Sequence, residues 1–505
     1  MRILATIPFE SDSGNQYLYD DNTGMVFPAA DSLNALLELH AGLSLEQAVG
    51  RLRGRYDIER LAEDAEFIRH WNSVYGAFYR AEEVPPELGS RMRNLTSGDV
   101  EDYLDASGTR QLILILTEDC NLRCRYCAYS DEYPLNRNRT SAAMSVEIGR
   151  RAIDQFFERA IRSLPRNPWQ RLAVTFYGGE PLLAHDTLRT LVAHAEATAP
   201  CPLQLAVTTN GTLLSQDLAG FLVDHNFSIL VSLDGDRANH DRNRVFADGR
   251  GSFDAVVENL RRFRQQFPTY ARIHLITVID WGTDVRGLDL FFEEHKDDLP
   301  ELQRAGGVTM EGTRYYDRFS DEEHQAHALA IREAEGHYFR AEADGTPPHR
   351  VGRLLWGTRA MSLRMRRRGG NGMSGMIPFS GACVPGSKLA VRVDGSYDMC
   401  ERVNGTMPIG HVDTGIDVAS VASIVRDYNA QVGSACWACP ATKLCGLCMA
   451  AFNRDGRFER AEEPCRRAIA NVRRTLTKVY SVLEARPSAF AEFRDIDEEV
   501  RFITS

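Results

Sequence analysis

The sequence predicts an α/β fold: a partial (βα)6 barrel, with a winged-helix-like domain before it and a cysteine-rich domain after it. Three observations predict this. Apolar segments that suit strands alternate with helical patterns from about residue 110 to 311. A hairpin pattern and three helical patterns precede that region, and seven cysteines crowd the stretch behind it. The chain, at 505 residues, is also too long for one ordinary core.

The N-terminal domain is assigned to residues 1–85. Tyr17-Leu18-Tyr19 and Met25-Val26-Phe27 flank the turn-rich Asp20-Asp21-Asn22-Thr23-Gly24, which reads as a hairpin. Asp31 is placed to cap a helix that carries Leu33, Leu36 and Leu37 on one face. Ser44 and Gln47 have capping-box spacing and open a second helix, with Leu45, Ala48, Val49 and Leu52 on its inner stripe. A third begins near Ile58. With the stretch HAGLSLEQAVGRLRGRYD, this pattern resembles the leader-peptide recognition domains of peptide-modifying enzymes, whose type member is the small pyrroloquinoline quinone chaperone. The alternative is a winged-helix packing module with no ligand. Residues 86–109 read as a linker.

The barrel is assigned to residues 110–311. Its strand candidates are Leu112–Leu116, Leu172–Tyr177, Gln204–Thr208, Ile229–Leu233, Ile273–Ile279 and Gly307–Met310. Val146–Ala160, Thr187–Ala197 and Asp254–Phe263 are among the helical patterns between them. Strands that are apolar throughout imply a parallel sheet covered by helices. Catalytic groups in such barrels collect where strands end and loops begin.

The first motif there is TEDCNLRCRYC, directly after the first strand. Cys120, Cys124 and Cys127, in Cys-x3-Cys-x2-Cys spacing, supply three thiolates for one 4Fe–4S cube and leave its fourth iron open. A structural zinc site takes four protein ligands, and no fourth stands nearby. The loop resembles that of the radical S-adenosylmethionine (SAM) superfamily, where the open iron takes the amino and carboxylate groups of SAM. The resemblance extends to Tyr126, whose backbone is then expected near the adenine.

Gly178-Gly179-Glu180 ends the second strand and follows the superfamily's pattern for binding the SAM amino group. Glycines let the backbone approach closely, and a carboxylate accepts from an ammonium. Thr209-Asn210-Gly211 ends the third strand and Ser232-Leu233-Asp234-Gly235 the fourth. Both resemble segments that contact SAM, with Asn210 and Ser232 the chosen contacts. Arg244 fits a recurring arginine that meets the SAM carboxylate; a salt bridge holding its loop is the alternative.

The C-terminal cysteines form the second signal, in a domain assigned to residues 381–475. Cys383, Gly395 and Cys400 stand in Cys-x11-Gly-x4-Cys order, followed by Cys436-x2-Cys439-x5-Cys445-x2-Cys448 and by Cys465. This resembles the SPASM extension of radical SAM enzymes, which holds two auxiliary 4Fe–4S clusters, with one internal spacing a residue shorter than the commoner pattern. Carried over in order, Cys383, Cys400 and Cys448 hold one auxiliary cluster, and Cys436, Cys439, Cys445 and Cys465 hold the other. Seven thiolates for two cubes leave one iron without a cysteine. Zinc ribbons are the alternative for the CxxC pairs. Cys201, between two prolines, reads as a core residue.

Glu401 follows Cys400 directly. In sulfatase-maturing relatives an acidic residue near this place is proposed to take a substrate proton, which a carboxylate tuned by burial is able to do. A carboxylate that hydrogen-bonds backbone beside the cluster is the alternative. The insert at 312–380 holds a helical pattern (Glu322–Ala341), a basic run with Arg364, Arg366, Arg367 and Arg368, and the Gly-rich Gly369–Gly375. That segment reads as a solvated or mobile face ahead of an electrostatic site for an acidic leader. Residues 476–505 read as a helical tail.

Composition narrows the function. A net charge of −11 argues against a general nucleic-acid binder. No apolar run approaches the roughly 20 residues that span a bilayer, and the start MRILATIPFESD lacks a signal-peptide layout. A cytoplasmic location is expected, and eleven cysteines in a reducing compartment point to metal chemistry over disulfides. The resemblance implies an enzyme that cleaves SAM to a 5′-deoxyadenosyl radical, fed by a reductant such as flavodoxin or ferredoxin. Its partners would be the leader and core of a ribosomally made precursor peptide, cross-linked by a thioether or carbon–carbon bond. Rival readings are a sulfatase-type maturase, a peptide epimerase and a non-enzymatic iron–sulfur electron carrier.

Overall fold

The computed structural model describes residues 2–133, 139–310, 312–365, 376–377, 383–401 and 405–490. The basic and Gly-rich run expected at 366–375 lies outside the described residues, as does the tail beyond 490.

The expected hairpin forms, as the second and third strands of a three-stranded antiparallel sheet: β1 (Thr6–Glu10), β2 (Gln16–Asp20) and β3 (Met25–Pro28). The turn is closed by Asp20, whose carboxylate accepts the Thr23 N–H at 2.9 Å and hydroxyl at 2.7 Å. β1 escaped the sequence reading because Pro8 interrupts its apolar alternation, a residue confined to strand edges. Helices α1 (Asp31–His40), α2 (Leu45–Leu52) and α3 (Ile58–Tyr75) follow. Ser44 and Gln47 form the expected capping box. Asp31 does not cap α1: Ala30 stands at that position, and Asp31 is the first helical residue, where its charge suits the helix dipole.

The strand alternation decides how this domain is mounted. Leu18 and Phe27 face the domain's own helices, packing with Leu33, Leu36, Leu61 and Ile68. Ile7, Phe9 and Tyr19 point the other way, into a second cluster built with residues of the insert and of the C-terminal helix. The N-terminal domain is therefore packed into the body of the protein. Residues 86–109, read as a linker, form α4 (Pro86–Arg93) and α5 (Ser97–Ser107). Val100 and Leu104 of α5 are buried in the main core.

Six parallel strands follow in sequence order: β4 (Gln111–Thr117), β5 (Leu172–Gly178), β6 (Leu203–Thr209), β7 (Ser228–Ser232), β8 (Ile273–Ile279) and β9 (Leu302–Gly307). All five strand pairings are parallel. The intervening helices include α6 (Val146–Ser163), α7 (His185–Thr198), α8 (Gln216–Asp224), α9 (Arg237–Asn243), α10 (Phe253–Gln266) and α11 (Val285–Glu294). Leu112, Leu114 and Leu116 turn outward onto this helical layer, whereas Ile113 and Ile115 cluster with Tyr177 on the inner face. The sixth strand lies at Leu302–Gly307, not at the expected Gly307–Met310. As the outer parallel strand it carries the exposed Arg304, so it lacks the continuous apolar run by which the others were found.

The insert supplies α12 (Asp321–Asp344), close to the expected helix. The sheet then continues past β4: β10 (Lys388–Val391) pairs parallel to β4, with Lys388 opposite Gln111, and β11 (Ser396–Asp398) returns antiparallel. The C-terminal domain is thus an extension of the barrel sheet. Helices α13 (Val418–Tyr428) and α14 (Glu462–Ala485) complete it, and α14 runs across the expected boundary at 475. Among the described residues, no helix is long and apolar enough to cross a membrane.

Candidate active site

The loop after β4 carries Cys120, Cys124 and Cys127 at the C-terminal end of the barrel strands. Backbone N–H groups of Leu122 and Tyr129 donate to the sulfurs of Cys120 and Cys127, each at 3.4 Å. Burial first, with Cys127 adding to both, pushes the Cys120 thiol up to about 11 and the Cys124 thiol up to about 12. Such thiols stay protonated at neutral pH unless a cation holds them as thiolates. Three neighbouring sulfurs with N–H donors to two of them fit the corner of a 4Fe–4S cube.

Gly178 and Gly179 close the gap between β5 and this loop. The Gly179 N–H donates to Thr117 O at 2.8 Å and the Glu180 N–H to Asp119 O at 2.9 Å. A Cβ on Gly178 would stand 2.3 Å from Thr117 O, and one on Gly179 2.1 Å from Asp119 O, so no other residue fits either position. Glu180 is fully buried. Its Oε1 accepts the Thr209 hydroxyl at 2.7 Å and the Leu182 N–H at 3.1 Å, and its Oε2 accepts the Asn210 N–H at 2.7 Å. The carboxylate thereby ties the end of β5 to the end of β6, a role the motif alone did not reveal. The Asn210 side chain is carried to the cluster loop, its Nδ2 lying 2.8 Å from Asn121 Oδ1 and 3.7 Å from Cys120 Sγ.

Ser232 ends β7, and Asp234, two residues on, organises the next part of the site. Its Oδ1 accepts the Val278 N–H at 3.0 Å; its Oδ2 accepts Arg244 Nε at 2.8 Å and the Tyr126 hydroxyl. The Arg244 guanidinium lies over the Tyr126 ring, 5.4 Å from its centroid. Of the two roles weighed for Arg244, the salt bridge is made by Nε. Its terminal NH2 groups have no protein acceptor among the described residues. The Tyr126 side chain, half-buried, packs against this pair. Asp234 was missed as a site residue because a carboxylate in a turn after a strand is commonplace; only its contacts mark it.

Under this pair lies a second buried carboxylate. Asp280, at the end of β8, accepts both terminal nitrogens of Arg242 at 2.9 and 2.6 Å, Asn243 Nδ2 at 2.9 Å and the Tyr315 hydroxyl. Burial pushes its pKa up, but these donors outweigh that and hold it at about 2. Tyr315 touches Tyr126, edge to face with ring centroids 6.3 Å apart, so this network buttresses the cluster loop from beneath.

The remaining cysteines lie elsewhere. β11 runs back from the level of Leu114 toward that of Gln111, which carries Cys400 and Glu401 toward the N-terminal ends of the strands. The seven residues of β4, about 20 Å at strand rise, separate that end from the Cys120–Cys127 loop. Cys383 and Cys448 are exposed, and Cys400 and Glu401 half-buried. Cys436, Cys439, Cys445 and Cys465 are drawn together: burial raises the Cys436 thiol to about 12, and the other three raise it further. The Tyr428 side chain, fully buried, lies beside Cys436. Among the described residues no three His, Cys, Asp or Glu side chains converge on a single ion. A cube holds its thiolates on separate irons and needs no such convergence. Cys201 precedes β6 in a cavity lined by Arg171, His225 and Arg272. It is three strands from β10, roughly 14 Å along the sheet at ordinary strand spacing.

Residues 114–283 match the model of the Radical SAM superfamily, so the barrel contains a radical SAM domain. A cysteine-type anaerobic sulfatase-maturating enzyme of Clostridium novyi (strain NT) is 28% identical over 188 residues, 37% of this chain and 47% of the relative. The chain thus spans about half of that relative's length. A serine-type anaerobic sulfatase-maturating enzyme of Klebsiella aerogenes is 24% identical over 369 residues, 67% of this chain and 78% of the relative. The radical SAM cyclopropyl synthase TigE of Paramaledivibacter caminithermalis (strain DSM 15212 / CIP 107654 / DViRD3) is 22% identical over 158 residues, 30% and 32% of the two chains. The solved structure of native anSMEcpe with bound AdoMet shares the fold, with a TM-score of 0.52 at 18% identity over 76% of this chain and 98% of that one.

Proposed function

We propose that this protein is a radical SAM peptide maturase that oxidatively cross-links a ribosomally made precursor peptide, by a thioether in preference to a carbon–carbon bond. The observation that carries the reading is the pairing of a sheet-and-three-helix N-terminal domain with two groups of cysteines at opposite ends of one barrel. A substrate segment entering the barrel lies between them.

With a 4Fe–4S cluster on Cys120, Cys124 and Cys127, bound SAM and an electron from flavodoxin or ferredoxin supply a 5′-deoxyadenosyl radical that removes a hydrogen atom from carbon. The protein's own groups bind and orient. Gly178 and Gly179 bring backbone to the SAM amino group, with Glu180 holding the strand end that delivers Asn210. Ser232 and the terminal NH2 groups of Arg244 meet the ribose and carboxylate, and the backbone of Tyr126 lies along the adenine. Glu401 takes the proton released when the new bond forms. Cys383, Cys400 and Cys448, and Cys436, Cys439, Cys445 and Cys465, would hold two auxiliary clusters, whose chemistry would be to accept the one electron left over. The nucleoside keeps the hydrogen atom, so the balance closes.

The cysteine-type and serine-type sulfatase-maturating relatives favour a second reading, in which a single residue of a sulfatase is modified and nothing is cross-linked. Tandem mass spectrometry of the product decides. Incubation with SAM, a reductant and a candidate precursor peptide is expected to join two of its side chains. A mass change confined to one residue of a sulfatase peptide, with the precursor untouched, would establish the second reading.

A further inference from the structure

The N-terminal sheet reaches the second auxiliary cysteine group through one buried ion pair. Asp21, in the β2–β3 turn, is fully buried, and Arg80 meets its Oδ2 through Nη2 at 2.5 Å. The same guanidinium donates from Nη1 to the carbonyls of Trp437 and Cys439, both at 2.9 Å, and lies over the Trp437 ring. Asp21 Oδ1 accepts the Lys443 N–H at 2.9 Å, and Trp437 Nε1 donates to Ala81 O at 2.9 Å. Four hydrogen bonds thus run from residues 21, 80 and 81 to the loop that carries Cys436, Cys439 and Cys445. No other charged pair from the N-terminal domain is so deeply buried against that loop among the described residues.

We infer that Asp21 and Arg80 are positioning residues for the cluster of Cys436, Cys439, Cys445 and Cys465, fixing its loop and setting the potential at which it exchanges electrons. The inference rests on the reading of those four cysteines as cluster ligands. Hydrogen bonds to the backbone around thiolates and fixed charges nearby are the protein's means of tuning such a cluster. The two residues have opposite effects by Coulomb's law: the carboxylate disfavours an added electron and the guanidinium favours it. Both charges sit in a desolvated place, where screening is weak.

The test is redox titration of the reconstituted full-length chain, followed by electron paramagnetic resonance, with Cys120, Cys124 and Cys127 changed to Ala to remove the catalytic signal. Asp21→Asn is expected to raise the midpoint of the second auxiliary cluster, and Arg80→Gln to lower it. Leu36→Ala loosens the N-terminal core without touching the loop, and is expected to leave the midpoint alone. Loss of the signal in Arg80→Gln but not in Leu36→Ala also supports the positioning role. Unmoved midpoints, shifts of one sign in both charge variants, or signal loss in all three overturn it. Cys439→Ala separates the underlying reading: iron content unchanged by it removes the cluster itself, whatever Asp21 and Arg80 do.

Discussion

The carboxylate of Glu180 accepts the backbone N–H of Asn210 at 2.7 Å, so the residue read as a SAM ligand is also the bolt between two barrel strands. Burial pushes its pKa up to about 7. Glu180→Gln keeps the shape but offers one acceptor where three donors converge, leaving an amide NH2 against either Asn210 or Leu182. We expect a loss of about 1–3 kcal/mol of stability and weaker SAM binding, read by thermal unfolding and equilibrium dialysis. Unchanged unfolding would mean that the three bonds carry little.

Changing Cys120, Cys124 and Cys127 together to Ala is expected to remove about four of about twelve irons per reconstituted chain, one cube of three. SAM cleavage to 5′-deoxyadenosine disappears with them. Cleavage that survives the triple change would place the catalytic site elsewhere.

Arg244 meets Asp234 through Nε, and its terminal NH2 groups have no protein acceptor among the described residues. A lysine presents one point charge and cannot serve both Asp234 and SAM. Arg244→Lys is expected to raise KM for SAM about tenfold, or ~1.4 kcal/mol, with a smaller change in kcat. Equal losses in kcat and kcat/KM would place Arg244 in the chemical step instead.

Why these residues and not others were legible follows from what a sequence displays. Five barrel strands announce themselves because none of their residues is exposed, and the sixth does not, because Arg304 stands exposed at the sheet's rim. Thiolate spacing is local and survives in one dimension. Asp234 and Asp280 act through partners on other strands, and nothing beside them in the chain distinguishes them from surface carboxylates. The Arg80–Trp437 contact joins positions 357 residues apart, and the mounting of the N-terminal domain was hidden for that reason. The extension of the sheet by β10 was equally silent, since four residues are too few to show a period.

His240 gives the structure a pH dependence. Its Nδ1 accepts the Asp234 N–H at 3.2 Å, and its Nε2 faces Ser252 Oγ at 2.9 Å, an arrangement that suits the neutral ring. Burial holds its pKa down to about 3, against an ordinary value of 6.5. Between those values the unfolded chain binds the extra proton and the folded chain does not, so stability is lost as pH falls from 6.5 toward 3. His240→Gln cannot take up that proton. Its urea midpoint should be lower than that of the parent at pH 7.5, and the gap should narrow as the pH is lowered to 5. A gap of constant size would show that the ring does not titrate on unfolding.

The cluster assigned to Cys383, Cys400 and Cys448 has three cysteines, and the fold rules out the obvious fourth. Cys201 belongs to another wall of the barrel, roughly 14 Å along the sheet from β10, too far to share a cube. Residues 378–382 and 402–404, next to Cys383 and Cys400, lie outside the described residues. An iron left without a protein thiolate would be a Lewis acid able to take a substrate Cys as its thiolate, because a coordinated thiol is held deprotonated. That thiolate would offer sulfur to a carbon radical, and the cluster would supply an acceptor for the leftover electron, so the proposed reading favours a thioether. The expected result is a change in the paramagnetic signal of this cluster when a Cys-containing precursor is added, and none when that Cys is replaced by Ser. The chain with Cys383 changed to Ala should lose the response along with about four irons. A signal indifferent to the peptide, or a fourth side chain found on that iron, would end the case for thiolate capture and return carbon–carbon coupling to equal standing.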